Sequence, residues 1–115
     1  MSRDGIRPLL DWLHANLDEP LTVDDVARLA AMSPRTLARR FRDTTGTTPM
    51  RWLTHQRVTR AQQLLETTDL PVEAIARRVG LGTATNLRTH FRAETSMSPA
   101  EYRRSHRDRT RRLAS

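Results

Sequence analysis

The chain has 115 residues, too few to build an elaborate catalytic cavity but enough for one domain or two very small lobes. Its formal charge is +7, carried by 20 Arg and no Lys against 13 acids, which directs attention to a polyanionic partner. The missing Lys is the mark of a GC-rich coding bias rather than of selection for guanidinium chemistry. Cysteine is absent, which excludes a disulfide scaffold and thiolate metal sites and fits a reducing cytosol. No apolar run is long enough to span a bilayer and no secretory signal opens the chain, so we expect a soluble, cytoplasmic protein with no membrane partner.

Apolar residues recur at i, i+3 and i+4 without sustained alternation, which predicts an all-α fold of about seven helices. The first is expected over about 6–17, with Ile6, Leu9, Leu10, Leu13 and Leu17 on one stripe. Thr22 and Asp25 form a capping-box pattern ahead of a second helix over about 23–30, whose Val23, Val26, Ala27 and Ala30 face inward. Ser33-Pro34, Thr48-Pro49 and Ser98-Pro99 share one device, a hydroxyl cap followed by Pro at the first helical position. They predict helices from Pro34 to just before Gly46, from Pro49 to about Thr67, and a short closing one over about 99–105. The long helix over about 49–67 carries Leu53, Ala61, Leu64 and Leu65 inward and bridges two lobes. Between it and the closing helix, Pro71 opens a fifth helix that stops near Gly80, and Thr83 caps a sixth to about Thr95. The basic tail over 106–115 is poor in apolar residues and is expected to be flexible.

The chain says nearly the same thing twice. Residues 21–53 superpose on residues 70–103 at an offset of 49, with one residue inserted near position 86. Leu21 meets Leu70, Val26 meets Ile75, Ala27 meets Ala76, Leu37 meets Leu87, Phe41 meets Phe91 and Pro49 meets Pro99. Self-similarity of this kind marks a repeated structural unit. Each copy is a short amphipathic segment, a turn and an Arg-studded second segment, the pattern of a helix-turn-helix whose second helix enters a DNA major groove. Two helix-turn-helix subdomains, over about 22–46 and 71–95, joined by a long linker helix are therefore expected.

Charge follows the repeat. Segments 1–33 and 61–83 carry −3 and −1, whereas 34–60 and 84–115 carry +6 and +5. Positive charge thus gathers where a groove-entering helix and its phosphate contacts would lie. In the third helix Leu37 and Phe41 belong to the core, which turns Arg35, Ala38, Arg39 and Arg42 outward. Arg35 and Arg39 are the expected base readers, since the guanidinium fork matches guanine O6 and N7. Arg40 and Arg42 are expected nearer phosphates, and the small Ala38 lets the helix sit deep. In the sixth helix the same phase presents Ala84, Thr85, Arg88, Thr89 and Arg92. This surface is poorer in bidentate readers, so Arg88 and Arg92 are expected to anchor phosphates while Thr85 and Thr89 contact bases permissively. Asn86 has a less favourable phase for reading adenine.

A single exposed Arg is by default a solvated charge; Arg35, Arg39, Arg40, Arg42 and Arg51 set against only Asp43 outweigh that default. Trp12 and Trp52 are expected to pack in the core or between the lobes rather than to stack on bases, and aromatics are too few for a base-stacking surface. An enzyme finds little support. His14, His55, His90 and His106 lack metal-ligand spacing, no catalytic or nucleotide-binding motif occurs, and neither a cofactor nor a metal is expected. The rival readings are a basic helical module binding acidic proteins and a non-specific architectural DNA-binding module, both separable from the first by salt dependence and base preference.

The stretches LTVDDVARLAAMSPRTLARRF, GTTPMRWL, QRVTRAQQLLETTDLPVEAIARRVGL and LRTHFRAETSMSPAEYRR resemble the DNA-binding domain of the AraC/XylS family of bacterial transcription regulators. The resemblance covers about 6–104, with residues 72–103 its most specific part. The segment LLDWLHANLDEPLTVDD resembles in particular members whose N-terminal half is DJ-1/PfpI-like. The resemblance implies two recognition helices in successive major grooves, base contacts at Arg35, Ala38, Arg39, Thr85 and Thr89, and RNA polymerase as a further partner. Ala31 stands where the family usually has Gly, Leu81 where Phe is usual, and Ala38 where several members carry a polar reader. Most members also carry a sensor or dimerisation domain. We therefore expect a C-terminal piece of a longer regulator, monomeric by itself, in preference to a stand-alone one.

Overall fold

The computed structural model describes residues 5–114, and among them the chain is all helical. Seven helices follow in order: α1 (Ile6–Ala15), α2 (Val23–Ala30), α3 (Pro34–Thr45), α4 (Pro49–Thr67), α5 (Val72–Val79), α6 (Ala84–Thr95) and α7 (Pro99–Ala114). They form two compact units, residues 1–56 and 57–115, and the division falls inside α4. Each unit contains one helix-turn-helix, α2 with α3 and α5 with α6.

In the first unit α1 packs on α2 and α3, and α2 on α3. Its core is Ile6, Leu9, Leu13, Leu17, Val26, Ala27, Leu37, Phe41 and Leu53. In the second, α5 packs on α6 and α6 on α7, around Val58, Ala61, Leu65, Ile75, Ala76, Val79, Leu81, Leu87 and Phe91. Each fully buried Leu, Ile, Val or Phe contributes roughly 1.5–3 kcal/mol, so these short stripes outweigh the low apolar content of the chain.

The helix ends obey their caps. Thr22 and Asp25 form the complete capping box, the Asp25 N–H donating to Thr22 Oγ1 (3.1 Å) and the Thr22 N–H to Asp25 Oδ2 (2.8 Å). Ser33 and Thr83 accept from the N–H groups of Thr36 (3.2 Å) and Asn86 (3.1 Å). Asn16 ends α1 two residues before the expected limit, its side-chain amide donating to the Trp12 carbonyl (2.8 Å); Leu17 lies beyond the helix yet stays buried.

Five expectations need correction. The closing helix does not stop near 105 but continues to Ala114, because no Gly or Pro follows Pro99 and Arg is a good helix former. Tyr102 donates to Glu66, Arg107 pairs with Asp69, and Arg103 donates to the carbonyls of Leu65 (3.2 Å) and Thr68 (3.0 Å), tying α7 to the end of α4. Ser115 lies outside the described residues. Trp12 is 38% exposed rather than core, beside an open groove with Pro20, Leu21 and Leu29, and Val23 is exposed at the first turn of α2. Ala84 is buried, since it stands three residues before Leu87 on the inward stripe. Finally, the inserted residue lies in the turn rather than near position 86: Ala31 and Gly80 match at offset 49, whereas the caps Ser33 and Thr83 match at 50, which leaves Gly82 (φ +79) as the extra residue.

The first turn closes with Ala31 in the left-handed region (φ 54, ψ 44), where its repeat mate is Gly80 (φ 90). The relation is inverted at the ends of the recognition helices, with Gly46 (φ 81) in the first unit and Ser96 (φ 64) in the second. A left-handed non-Gly residue costs about 1–2 kcal/mol, partly offset by the entropy that Gly loses on folding. Ala31→Gly is thus expected to stabilise the chain by about 0.5–1 kcal/mol, and Gly46→Ala, whose added Cβ meets open space, to destabilise it by about 1 kcal/mol. Urea unfolding followed by circular dichroism reads both; a destabilised Ala31→Gly would contradict the strain argument.

Candidate nucleic-acid interface

The outward face of α3 is set by what the helix buries. Leu37 and Phe41 are fully buried, and Phe41 is fixed further by an edge-on contact with half-buried Trp52 (centroids 5.8 Å, interplanar angle 74°). At about 100° per residue, Arg35, Arg39 and Arg42 then fall on the side opposite the core, with Ala38 on one flank. All four are exposed, and the structure brings them onto one surface. Arg40 is not part of it. Although exposed, it lies on the other flank, beside Gly5 and Ile6 at the start of α1.

The sixth helix repeats this phase. Leu87 and Phe91 are fully buried, and Phe91 meets Tyr102 edge-on (5.5 Å, 72°) as Phe41 meets Trp52. Thr85, Arg88, Thr89 and Arg92 are exposed at the positions equivalent to Arg35, Ala38, Arg39 and Arg42. Two details modify the expected chemistry. The Thr89 hydroxyl donates to the Thr85 carbonyl (3.0 Å), so its proton is spent within the helix and it offers oxygen lone pairs and a methyl outward. Arg92 is 3.4 Å from Glu101, whose carboxylate already accepts from the Ser98 N–H (2.8 Å). Asn86 turns its amide back to the Leu81 carbonyl (2.9 Å), bracing the longer turn instead of facing outward.

Identical local frames hold both surfaces. Thr45 donates to the Phe41 carbonyl (2.7 Å) and accepts from the Thr47 N–H (3.3 Å); Thr95 does the same with Phe91 (2.8 Å) and Met97 (3.2 Å). The Arg92–Glu101 contact is the feature that sequence reasoning missed. Its signal was present in the repeat, where an offset of 50 sets Glu101 against Arg51.

The fold that carries these two exposed faces is matched in known proteins. A family model described as a helix-turn-helix domain matches residues 26–105. The DNA-binding domain of AdpA, a global transcriptional factor crystallised with a target DNA, is 43% identical, covers 92% of this chain and 96% of its own, and superposes with a TM-score of 0.89. The chain belongs to the AraC/XylS family. The C-terminal domain of AraT, a response regulator from Geobacillus stearothermophilus, is another AraC-type neighbour, at 32% identity, coverage of 90% and 88%, and a TM-score of 0.85. Among curated proteins, the HTH-type transcriptional activator RhaS of Enterobacter sp. (strain 638) is 39% identical over 98 residues. That match takes in 85% of this chain, and the chain spans about a third (35%) of the relative's length.

Two carboxylates in this AraC-type domain act through caps. Asp25 is held below its ordinary value of 3.8, first by the Thr22 backbone N–H and then by the Thr22 side chain; Arg28 adds to the effect. Glu101 is held below 4.5 in the same way by Ser98, with Arg92 adding to it. A lowered carboxylate value means that the stabilisation is complete above the ordinary value and is lost as pH falls through the folded one. Thermal midpoints are accordingly expected to hold from neutrality to about pH 5 and to fall below it. Asp25→Asn should flatten part of that acid slope; an unchanged slope would show that the cap does not carry it.

Proposed function

We propose that this domain binds double-stranded DNA sequence-specifically and so regulates bacterial transcription, with α3 as its principal reader. The observation that carries this reading is the pair Arg35 and Arg39, four residues apart and exposed on the side of α3 opposite fully buried Leu37 and Phe41. Guanidinium groups so placed suit guanine edges, each good bidentate contact contributing about 1–3 kcal/mol of discrimination. Ala38 keeps the approach close. Thr85 and Thr89 make the lighter contacts of the second unit, Thr89 as an acceptor or through its methyl. Arg42, Arg88 and Arg92 hold phosphates, and Arg40 a more peripheral one.

The likeness to the AdpA domain in its DNA complex supports the choice of ligand, and the likeness to RhaS, a transcriptional activator, supports RNA polymerase as a second partner. No helix among the described residues is long and apolar enough to cross a membrane. The domain acts as a DNA-binding module rather than an enzyme, and is a monomer by itself.

Selection of bound duplexes from a random pool tests the reading. The expected outcome is a consensus containing G·C pairs, with Arg35→Ala and Arg39→Ala each relaxing preference at one of them and costing about 1–3 kcal/mol on the selected site. A pool that emerges without consensus would overturn sequence-specific recognition.

A further inference from the structure

We infer that Arg51 is a DNA phosphate contact of the first unit and that Glu101 is a built-in attenuator of the second, so that the two repeats grip the nucleic-acid backbone with unequal strength. The inference rests on the DNA-binding reading above. The two residues occupy one structural position. An offset of 50 equates Thr48 with Ser98, Pro49 with Pro99, Arg51 with Glu101, Trp52 with Tyr102 and Arg42 with Arg92. The surroundings coincide in detail: Thr48 accepts from the Arg51 N–H (3.2 Å) as Ser98 accepts from the Glu101 N–H (3.1 Å), and the adjoining ring pairs differ by only 0.3 Å in centroid separation, 5.8 Å against 5.5 Å.

Charge is what differs. In the second unit Glu101 completes a capping box with Ser98 and lies 3.4 Å from Arg92, so a phosphate approaching Arg92 meets a carboxylate beside it. In the first unit the same place holds a cation. Arg51 cannot accept the Thr48 N–H, and neither Arg51 nor Arg42 makes an ion pair among the described residues. Arg51 also stands in the first turn of α4, against the positive end of the helix dipole, where Glu101 is favourably placed in α7. Two guanidiniums in a position where the sister repeat has an ion pair, one of them set against its own helix, break a local rule of stability. An anion bound between them removes both penalties, and the DNA backbone supplies it.

The test is salt-dependent binding of the chain to a duplex selected from the random pool. Arg51→Gln is expected to weaken binding several-fold and to lower the slope of log affinity against log salt by about 1, leaving the consensus intact. Glu101→Gln retains an acceptor for the Ser98 N–H, so folding is preserved; it is expected to tighten binding and steepen the slope by up to about 1. Adding Arg92→Gln should cancel that gain, and in the unaltered background Arg92→Gln should cost less than Arg42→Gln. An unchanged slope and affinity in Arg51→Gln, or in Glu101→Gln, would overturn the inference while wild-type binding stands. Failure of the unaltered chain to bind any duplex would overturn the DNA reading itself, and this inference with it.

Discussion

Everything the surface of this domain can do depends on the burial of two side chains per recognition helix, Leu37 with Phe41 and Leu87 with Phe91. A helix is free to rotate about its axis only if nothing on it prefers one neighbour. Turning α3 by a single residue step, about 100°, would lift a fully buried Phe into water and bring an Arg toward the core, at a cost of several kcal/mol. The rotation is therefore fixed, and with it the identity of the outward residues. Trp52 and Tyr102 hold the Phe rings edge-on, and Thr45 and Thr95 brace the following turn through the Phe carbonyls. The chemistry of the exposed face can then vary without disturbing the scaffold that aims it.

The two units show how such variation is accommodated. Their frameworks share the ring pairs and the Thr45 and Thr95 braces, yet their turns differ. Three residues join α2 to α3, and four join α5 to α6. The extra residue is Gly82, in the left-handed region, and the Asn86 side chain closes the enlarged turn on the Leu81 carbonyl. Leu81 is itself buried in the second core, whereas Met32 only borders the first. The longer turn thus gains a core residue and needs a polar brace. An Asn amide committed in this way is not presented outward with Thr85 and Thr89.

Much of this was legible in the sequence because the decisive signals are local. The Thr22–Asp25 box, the Ser-Pro and Thr-Pro starts and Gly46 fixed helix limits, since a cap acts within three or four residues. The alternation of buried and exposed positions on α3 and α6 followed from helical phase, with Ala84 the exception. What escaped depends on contacts distant in the chain. The contacts of Tyr102, Arg103 and Arg107 that tie α7 to the end of α4 join residues more than thirty positions apart. That Arg40 lies on the flank beside the start of α1 also escaped, because periodicity says how far a residue lies from the core stripe but not which helix flanks it. Val23 and Trp12 are apolar residues left at the surface, which hydrophobicity alone assigns inward.

The charge difference between the repeats bears on specificity as well as affinity. A phosphate contact strengthens binding to every sequence, so a unit that holds the backbone firmly while reading few bases raises non-specific occupancy across a genome. On the proposed reading the second unit is one that reads few bases, since it exposes Thr85 and Thr89 where the first exposes Arg35 and Arg39. Full backbone grip there would add affinity without discrimination. On the proposed reading, Glu101 against Arg92 would withhold part of the grip where little sequence is read, and Arg51 would supply it where Arg35 and Arg39 read most. The ratio of specific to non-specific binding would then rise with no new base contact, because the phosphate term would be concentrated in the half whose docking depends on the right bases being present.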